Sequence, residues 1–221
     1  MFVYQLSGLS LKDEAQAPVE IEENETTARS AVYQVLGRLF LDADDEHFEK
    51  AREGLWVKEL QEASALLPFE LTLPEGGRVP PELAKADHVG EFRRLFGEGG
   101  EVPPFGSAYQ SDGDFRDEVR RQYEYYGLAA DATRRVDHLA TECDYMQYLT
   151  FKEAASSSDR LRGSYRRAQH DFVARHFGEW VPAFAARVEG AGASRFFSWA
   201  AGILASFVAS DADYVRGLVE G

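Results

Sequence analysis

Apolar residues recur at three- and four-residue steps along nearly the whole chain, and nowhere do they sustain a strict alternation. A helix returns to the same face every 3.6 residues and a strand every second one, so this rhythm admits helices and leaves little for sheet. Asn24 can cap a first helix with Ala28, Val32, Val35, Leu36, Leu39 and Phe40 on one face. Asp44 opens a second that carries Phe48, Ala51, Leu55 and Leu60. Prolines with Gly76 and Gly77 mark residues 67–81 as a loop. A helix with Val89, Phe92, Leu95 and Phe96 follows, and Gly97 stops it. After a loop at 103–113, Phe115, Val119, Tyr123 and Tyr126 form a further stripe that ends at Gly127.

A helix from Asp137 carries Leu139, Cys143, Met146 and Leu149, and the polar run Ser156 to Asp159 breaks it from one with Leu161, Tyr165, Ala168, Phe172 and Phe177. Trp180 and Pro182 read as a corner, and the last helix holds Phe196, Phe197, Ala200, Ile203, Leu204 and Phe207. The expectation is all-α: a single globular domain of about eight or more helices over residues 24–221, with an irregular, loop-rich waist at about 97–135. Residues 1–23 lack a clear period and read as a loosely ordered N-terminal arm.

The net charge of -14 makes a nucleic-acid backbone a poor partner. It favours basic ligands, arginine-bearing peptides among them, and with so few lysines it equally suits a protein adapted to high salt. Cys143 is the only cysteine, which rules out an intramolecular disulfide and a cysteine zinc cage. No basic and apolar leader opens the chain, and no apolar run reaches the roughly 18 residues of a membrane span. A cytoplasmic protein without stable membrane insertion is expected.

Two segments carry chemistry. Asp137-His138-Leu139-Ala140-Thr141-Glu142 opens a helix about thirty residues after the Pro-rich loop Pro103-Pro104-Phe105-Gly106-Ser107-Ala108-Tyr109. Asp137 stands where a helix should begin and can cap it. His138 and Glu142 are four apart on one face, close enough to pair. Facing a partner together, the three would offer acceptors to guanidinium groups, which carboxylates hold bidentately. The prolines are expected to present Ser107, Tyr109 and the Phe105 ring outward.

Other constellations carry less. Glu142 and Cys143 are adjacent and point about 100° apart on a helix, so His138, Glu142 and Cys143 do not converge on a metal. His170-Asp171 resembles the paired ligand of HD-type phosphohydrolases without the further ligands that chemistry needs. Ser107 lacks a nucleophile-elbow glycine pattern. Trp56, Trp180 and Trp199 read as core or contact residues, and the pairs Arg93-Arg94, Arg120-Arg121, Arg134-Arg135 and Arg166-Arg167 as solvated helix edges. No catalytic residue, metal or cofactor is expected.

These residues resemble the TorD/DmsD/NarJ family of redox-enzyme maturation chaperones. Asp137-His138-Leu139 with Glu142 and Tyr145-Met146 is similar to the family's Asp-His-Leu-x-x-Glu-Leu-x-Phe-Met pattern. Phe92-x-x-Leu95-Phe96-Gly97, Pro104-Phe105-Gly106-Ser107, Gln169-x-x-Phe172 and His176-Phe177-x-x-Trp180 resemble its other motifs, in order, over most of the chain. Val136 stands where a proline is common, Cys143 where leucine is, and no proline follows Gly97. The Glu142-x-x-x-Met146 form looks closer to the TorD/DmsD branch.

The resemblance implies a cytoplasmic chaperone without catalytic turnover. It would bind the twin-arginine signal peptide, or the apo form, of a molybdopterin oxidoreductase of the dimethyl sulfoxide reductase type, and assist cofactor insertion before export. Phe105, Ser107, Tyr109, Asp137, His138 and Glu142 would be the peptide-binding residues, on a monomer or a domain-swapped dimer. The rivals are a helical HD-like metal-dependent hydrolase built on His170 and Asp171, and a helical adaptor for a non-redox partner.

Overall fold

The computed structural model describes residues 9–11, 24–111, 113–132 and 134–221. Side chains that satisfy free backbone ends set the first boundaries. The Asn24 side chain accepts from the N–H groups of Thr26 and Thr27 at 2.9 and 3.1 Å, and Thr27 Oγ1 accepts from the Asn24 N–H at 2.8 Å. This reciprocal box starts α1, Glu25–Leu39. Asp44 caps α2, Asp45–Glu53, by accepting from the His47 N–H at 2.8 Å. The expected long second helix is in fact two: Gly54 takes φ 75°, ends α2 in a left-handed turn, and releases α3, Leu55–Ser64. The loop at 67–81 is present, and α4, Lys85–Phe96, stops at Gly97 as expected.

Within the waist lies α5, Phe115–Tyr125; past it come α6, Leu139–Ala155; α7, Asp159–Phe172; α8, Gly178–Gly190; and α9, Arg195–Glu220. A π turn, Val173–Phe177, joins α7 to α8, and Trp180 and Pro182 lie inside α8. The expected corner at Trp180 and Pro182 is therefore absent: the chain stays helical, and a widened turn upstream absorbs the change of register. Two three-residue strands escape the periodicity. β1, Leu9–Leu11, pairs antiparallel with β2, Leu128–Ala130, with Leu9 opposite Ala130. Of the proposed N-terminal arm, residues 1–8 and 12–23 lie outside the described residues. The fold is all-α, with nine α-helices among the described residues.

The core forms around α6, in which 14 of 17 residues are buried. It packs most extensively against α1. At their crossing a Cβ on Gly37 would lie 3.0 Å from Cys143 Cβ, so the glycine lets the two helices approach closely. At its far end α6 buries Glu153, which accepts from Gln169 Nε2 at 2.9 Å and Arg166 Nε at 2.5 Å. The fully buried Arg29 of α1 joins the same network. Its Nε and Nη2 donate to Asp211 of α9 at 2.5 and 3.1 Å, and Nη2 also donates to Gln169 Oε1 at 2.6 Å. Tyr33 Oη donates to Asp211 at 2.7 Å. Burial alone would lower the Arg29 pKa, but the Asp211 carboxylate outweighs it, so the guanidinium stays charged.

A second polar cluster sits among Trp56, Phe92, Phe196 and Phe197. His47 Nδ1 lies 3.1 Å from His88 Nε2, and His47 Nε2 lies 3.2 Å from the Leu39 carbonyl. With His47 donating to that carbonyl, its Nδ1 accepts from His88, and both rings are neutral. Burial, then the neighbouring His88, lowers the His47 pKa to about 4; burial lowers that of His88.

The unfolded chain protonates these imidazoles near pH 6.5 while the fold keeps them neutral, so stability is full above about 6.5 and drains as pH falls toward about 4. For His47 alone the loss is on the order of 3 kcal/mol. Urea unfolding of parent and His47→Gln between about pH 7.5 and 4 should show a shallower decline in the variant. Parallel curves would remove His47 as a source of acid sensitivity.

Candidate functional site

The Pro-rich loop and the turn that opens α6 are stitched together by backbone. The Gly106 N–H donates to the Asp137 carbonyl and the Leu139 N–H to the Pro104 carbonyl, each at 2.9 Å. Between these bonds Phe105 and His138 form an isolated antiparallel bridge. Gly106 is required at this seam, because an added Cβ would lie 2.4 Å from Phe115 Cε1 and 3.0 Å from Trp180 Nε1. The loop tightens into a single 3₁₀ turn, Gly106–Ala108.

Asp137 does not cap α6. His138 is the N-cap, its Nδ1 accepting from the Ala140 N–H at 3.1 Å. The Asp137 carboxylate turns to the loop instead: Oδ2 accepts from the Ser107 N–H at 3.0 Å, and Arg135 Nε donates to Oδ1 at 3.2 Å. Arg135 Nη2 donates to Ser107 Oγ at 2.8 Å and lies 3.4 Å from Asp137 Oδ2. The Arg135 guanidinium carbon sits 4.2 Å from the centre of the Phe105 ring, whose other neighbour is the His138 ring at 5.6 Å. Burial pushes the Asp137 pKa up, but the bonds from Ser107 and Arg135 prevail and hold it below its ordinary value. Burial, and next the Arg134 charge, lowers the His138 pKa to about 4, so the capping imidazole is neutral. Ser107 and Phe105 are half-buried.

Glu142 and Tyr109 lie deeper. Glu142 is fully buried and pairs not with His138 but with α8, where Trp180 Nε1 donates to its Oε2 at 3.0 Å. Its Oε1 has no hydrogen-bond partner among the described residues. Burial raises the Glu142 pKa well above the carboxylate range, which favours the neutral acid. Its share of stability is full below the unfolded carboxylate pKa and is lost as pH rises. Tyr109 stacks on Trp180, ring centres 5.6 Å apart and planes 18° apart, and burial pushes its phenol pKa up to about 12. The tyrosine thus faces inward, against the expectation of an outward hydroxyl. The His138–Glu142 pair also fails, because the indole of α8 supplies a buried donor and the imidazole is spent on the cap.

Phe105, Ser107, Asp137 and His138 therefore meet at one surface seam, while Glu142 and Tyr109 support it through Trp180. Sequence reasoning missed Arg135 and the part played by Trp180. The available signal was Arg135 itself, a guanidinium two residues before a carboxylate. Three of the four arginine pairs do lie on helices, in α4, α5 and α7, but Arg134 and Arg135 occupy the turn between β2 and α6. Beside the seam a hollow of about 270 Å³ is lined by Tyr123, Leu128, Ala130, Arg134 and Val136, among others.

His170 and Asp171 lie together on α7, Nδ1 to Oδ1 3.6 Å, both partly exposed. Among the described residues no three His, Cys, Asp or Glu side chains gather as metal ligands would. Nor is any described helix long and apolar enough to cross a membrane.

The family described as nitrate reductase delta subunit matches residues 57–186, more than half of the chain and every residue of the seam. Over 83 residues the chain is 36% identical to the perchlorate reductase assembly chaperone protein of Dechloromonas aromatica, covering 36% of this chain and 37% of that one. It is 37% identical over 75 residues to the selenate reductase assembly chaperone protein of Thauera selenatis, covering 33% and 39%. With the chlorate reductase assembly chaperone protein of Ideonella dechloratans it shares 32% over 126 residues, covering 53% and 65%. The matched regions thus span little more than a third of the first two relatives.

Replacing Gly106 by alanine should lift the loop off Phe115 and Trp180. Overpacking of this kind costs about 1–3 kcal/mol. Urea unfolding reads the loss, and near-ultraviolet circular dichroism reads the altered tryptophan environment. An unchanged spectrum and midpoint would mean that the loop does not depend on this close approach.

Proposed function

This chain belongs to the nitrate reductase delta subunit family, and from that footing we propose that it is a cytoplasmic assembly chaperone for a molybdopterin oxidoreductase. It binds the apo form of that enzyme by its twin-arginine signal peptide and holds it until the molybdenum cofactor is inserted. The relatives named as assembly chaperones of perchlorate, selenate and chlorate reductases support the class of client. The observation that carries peptide recognition is the seam. A buried ionised carboxylate, a hydroxyl and an aromatic face stand together, which is the set a guanidinium uses: a forked salt bridge, a further acceptor and a ring to stack on. Arg135 already makes all three contacts, so the set accommodates a guanidinium without rearrangement.

The supporting residues suit a binding site. His138 shapes the rim and fixes the start of α6, while Glu142, Trp180 and Tyr109 hold the loop from beneath. The apolar wall of the neighbouring hollow offers a place for the hydrophobic residues that follow the arginines. The net charge of -14 attracts a basic segment from a distance. No bond is made or broken in this reading; the chain binds and releases.

A peptide with twin arginines and an apolar segment should bind more tightly than its twin-lysine version by on the order of 1–2 kcal/mol, because lysine offers a point charge and no fork. Asp137→Asn should weaken the arginine peptide while the protein stays helical. Calorimetry with both peptides on both proteins decides. Equal affinity for the two peptides, or an undiminished affinity in Asp137→Asn, would refute arginine recognition at this seam.

A further inference from the structure

We propose that Arg135 is a resident stand-in for the client's arginine, so that the client binds by exchanging guanidinium groups rather than by filling an open site. The proposal rests on the reading that the seam takes a client arginine. Both Asp137 oxygens are engaged: Oδ1 by Arg135 Nε at 3.2 Å, Oδ2 by the Ser107 N–H at 3.0 Å and Arg135 Nη2 at 3.4 Å. Ser107 Oγ is taken by Arg135 Nη2, and the Phe105 face is covered by the same guanidinium. The Asp137 side chain has no exposed surface, whereas that of Arg135 is 43% exposed. An incoming arginine therefore finds no acceptor while Arg135 stays, and two like charges at this spacing repel.

Arg135 is built to leave. It stands in the turn before α6 rather than on a helix, and its contacts of 3.2 and 3.4 Å to Asp137 are long for charge-assisted bonds. The cradle does not depend on it. Asp137 and Leu139 are tied to the loop by backbone bonds of 2.9 Å, and Tyr123 Oη donates to the Val136 carbonyl at 3.0 Å. The Ser107 N–H stays on the carboxylate when the guanidinium swings out. Local sequence strengthens the likeness: Arg134-Arg135-Val136 is itself an arginine pair followed by an apolar residue, docked on the chain's own carboxylate. Arg134 Nη1 has no hydrogen-bond partner among the described residues. Exchange multiplies the client's intrinsic affinity by the fraction of molecules in which Arg135 has moved away, and so lowers it.

Three proteins test this: parent, Arg135→Ala and Arg135→Lys. Methylguanidinium chloride at millimolar concentration should raise the melting temperature of Arg135→Ala above that seen in equal sodium chloride, and should not do so for the parent. The twin-arginine peptide should bind Arg135→Ala about tenfold more tightly than the parent, with Arg135→Lys in between. The lysine variant keeps a charge beside Asp137, so it carries the peptide comparison even where the alanine variant folds poorly. No specific stabilisation by methylguanidinium would show that the cradle is not a guanidinium site and would overturn the proposal. Stabilisation without tighter peptide binding in either variant would show that Arg135 does not compete, and overturns it too. Stabilisation with no peptide binding to any of the three would locate the failure in the client reading, and the stand-in role would fall with it.

Discussion

One constraint organises this molecule: a seventeen-residue helix, α6, lies in the core with polar and acidic side chains on nearly every turn. A helix buried all round must find internal partners for each polar group or lose the free energy of its hydration. The surrounding helices are placed to supply them. α7 gives Gln169 and Arg166 to Glu153, α8 gives the Trp180 indole to Glu142, and Thr150 returns its hydroxyl to the carbonyls of Met146 and Gln147. At the start of α6 the partner is no helix but the Pro-rich loop, which brings the Ser107 N–H to Asp137. The seam is thus the solvent-facing one of several polar contacts spaced along α6.

This placement explains the contrast between the two carboxylates that sequence spacing puts on one helix. Asp137 lies just before the first turn, where the Ser107 N–H and a half-exposed arginine favour its anion. Glu142 lies further in, with one indole N–H as its donor, and burial favours its neutral form. Carboxyl groups five positions apart therefore serve as a charge at the rim and as a buried strut below it. Only the former can read a cation.

Legibility followed solvation. Ends marked by a capping side chain, as at Asn24 and Asp44, or by a glycine stop, as at Gly97, are readable because local chemistry decides them. Gly54 is not: Phe48, Ala51, Leu55 and Leu60 keep the helical rhythm on both sides of it, so periodicity sees one helix where a left-handed residue makes two. The β1–β2 pair joins segments far apart in the chain through strands too short to alternate. Asp137 is the better capper by type, yet the imidazole takes the cap because the carboxylate is claimed by the loop. The gathering of Phe105, Ser107, Asp137 and His138 could be anticipated from two motifs, but Arg135 could not, since an arginine pair beside a helix reads equally well as a solvated edge.

The π turn at Val173–Phe177 fixes something that composition does not express. The Gly178 N–H reaches back five residues to the Val173 carbonyl, so this stretch holds one residue more than an α-turn would. Each helical residue advances the facing direction by about 100°. Gln169 and Phe172 upstream and Trp180 and Phe184 downstream all point into the core only because that extra residue has been counted in. Ala174 and Arg175, exposed on the outer side, are open to exchange for other side chains. Loss of a single residue there would leave every side chain chemically intact and still turn the Trp180 indole away from Glu142. The segment therefore constrains the chain by its length rather than by its letters, a requirement that no single substitution would expose.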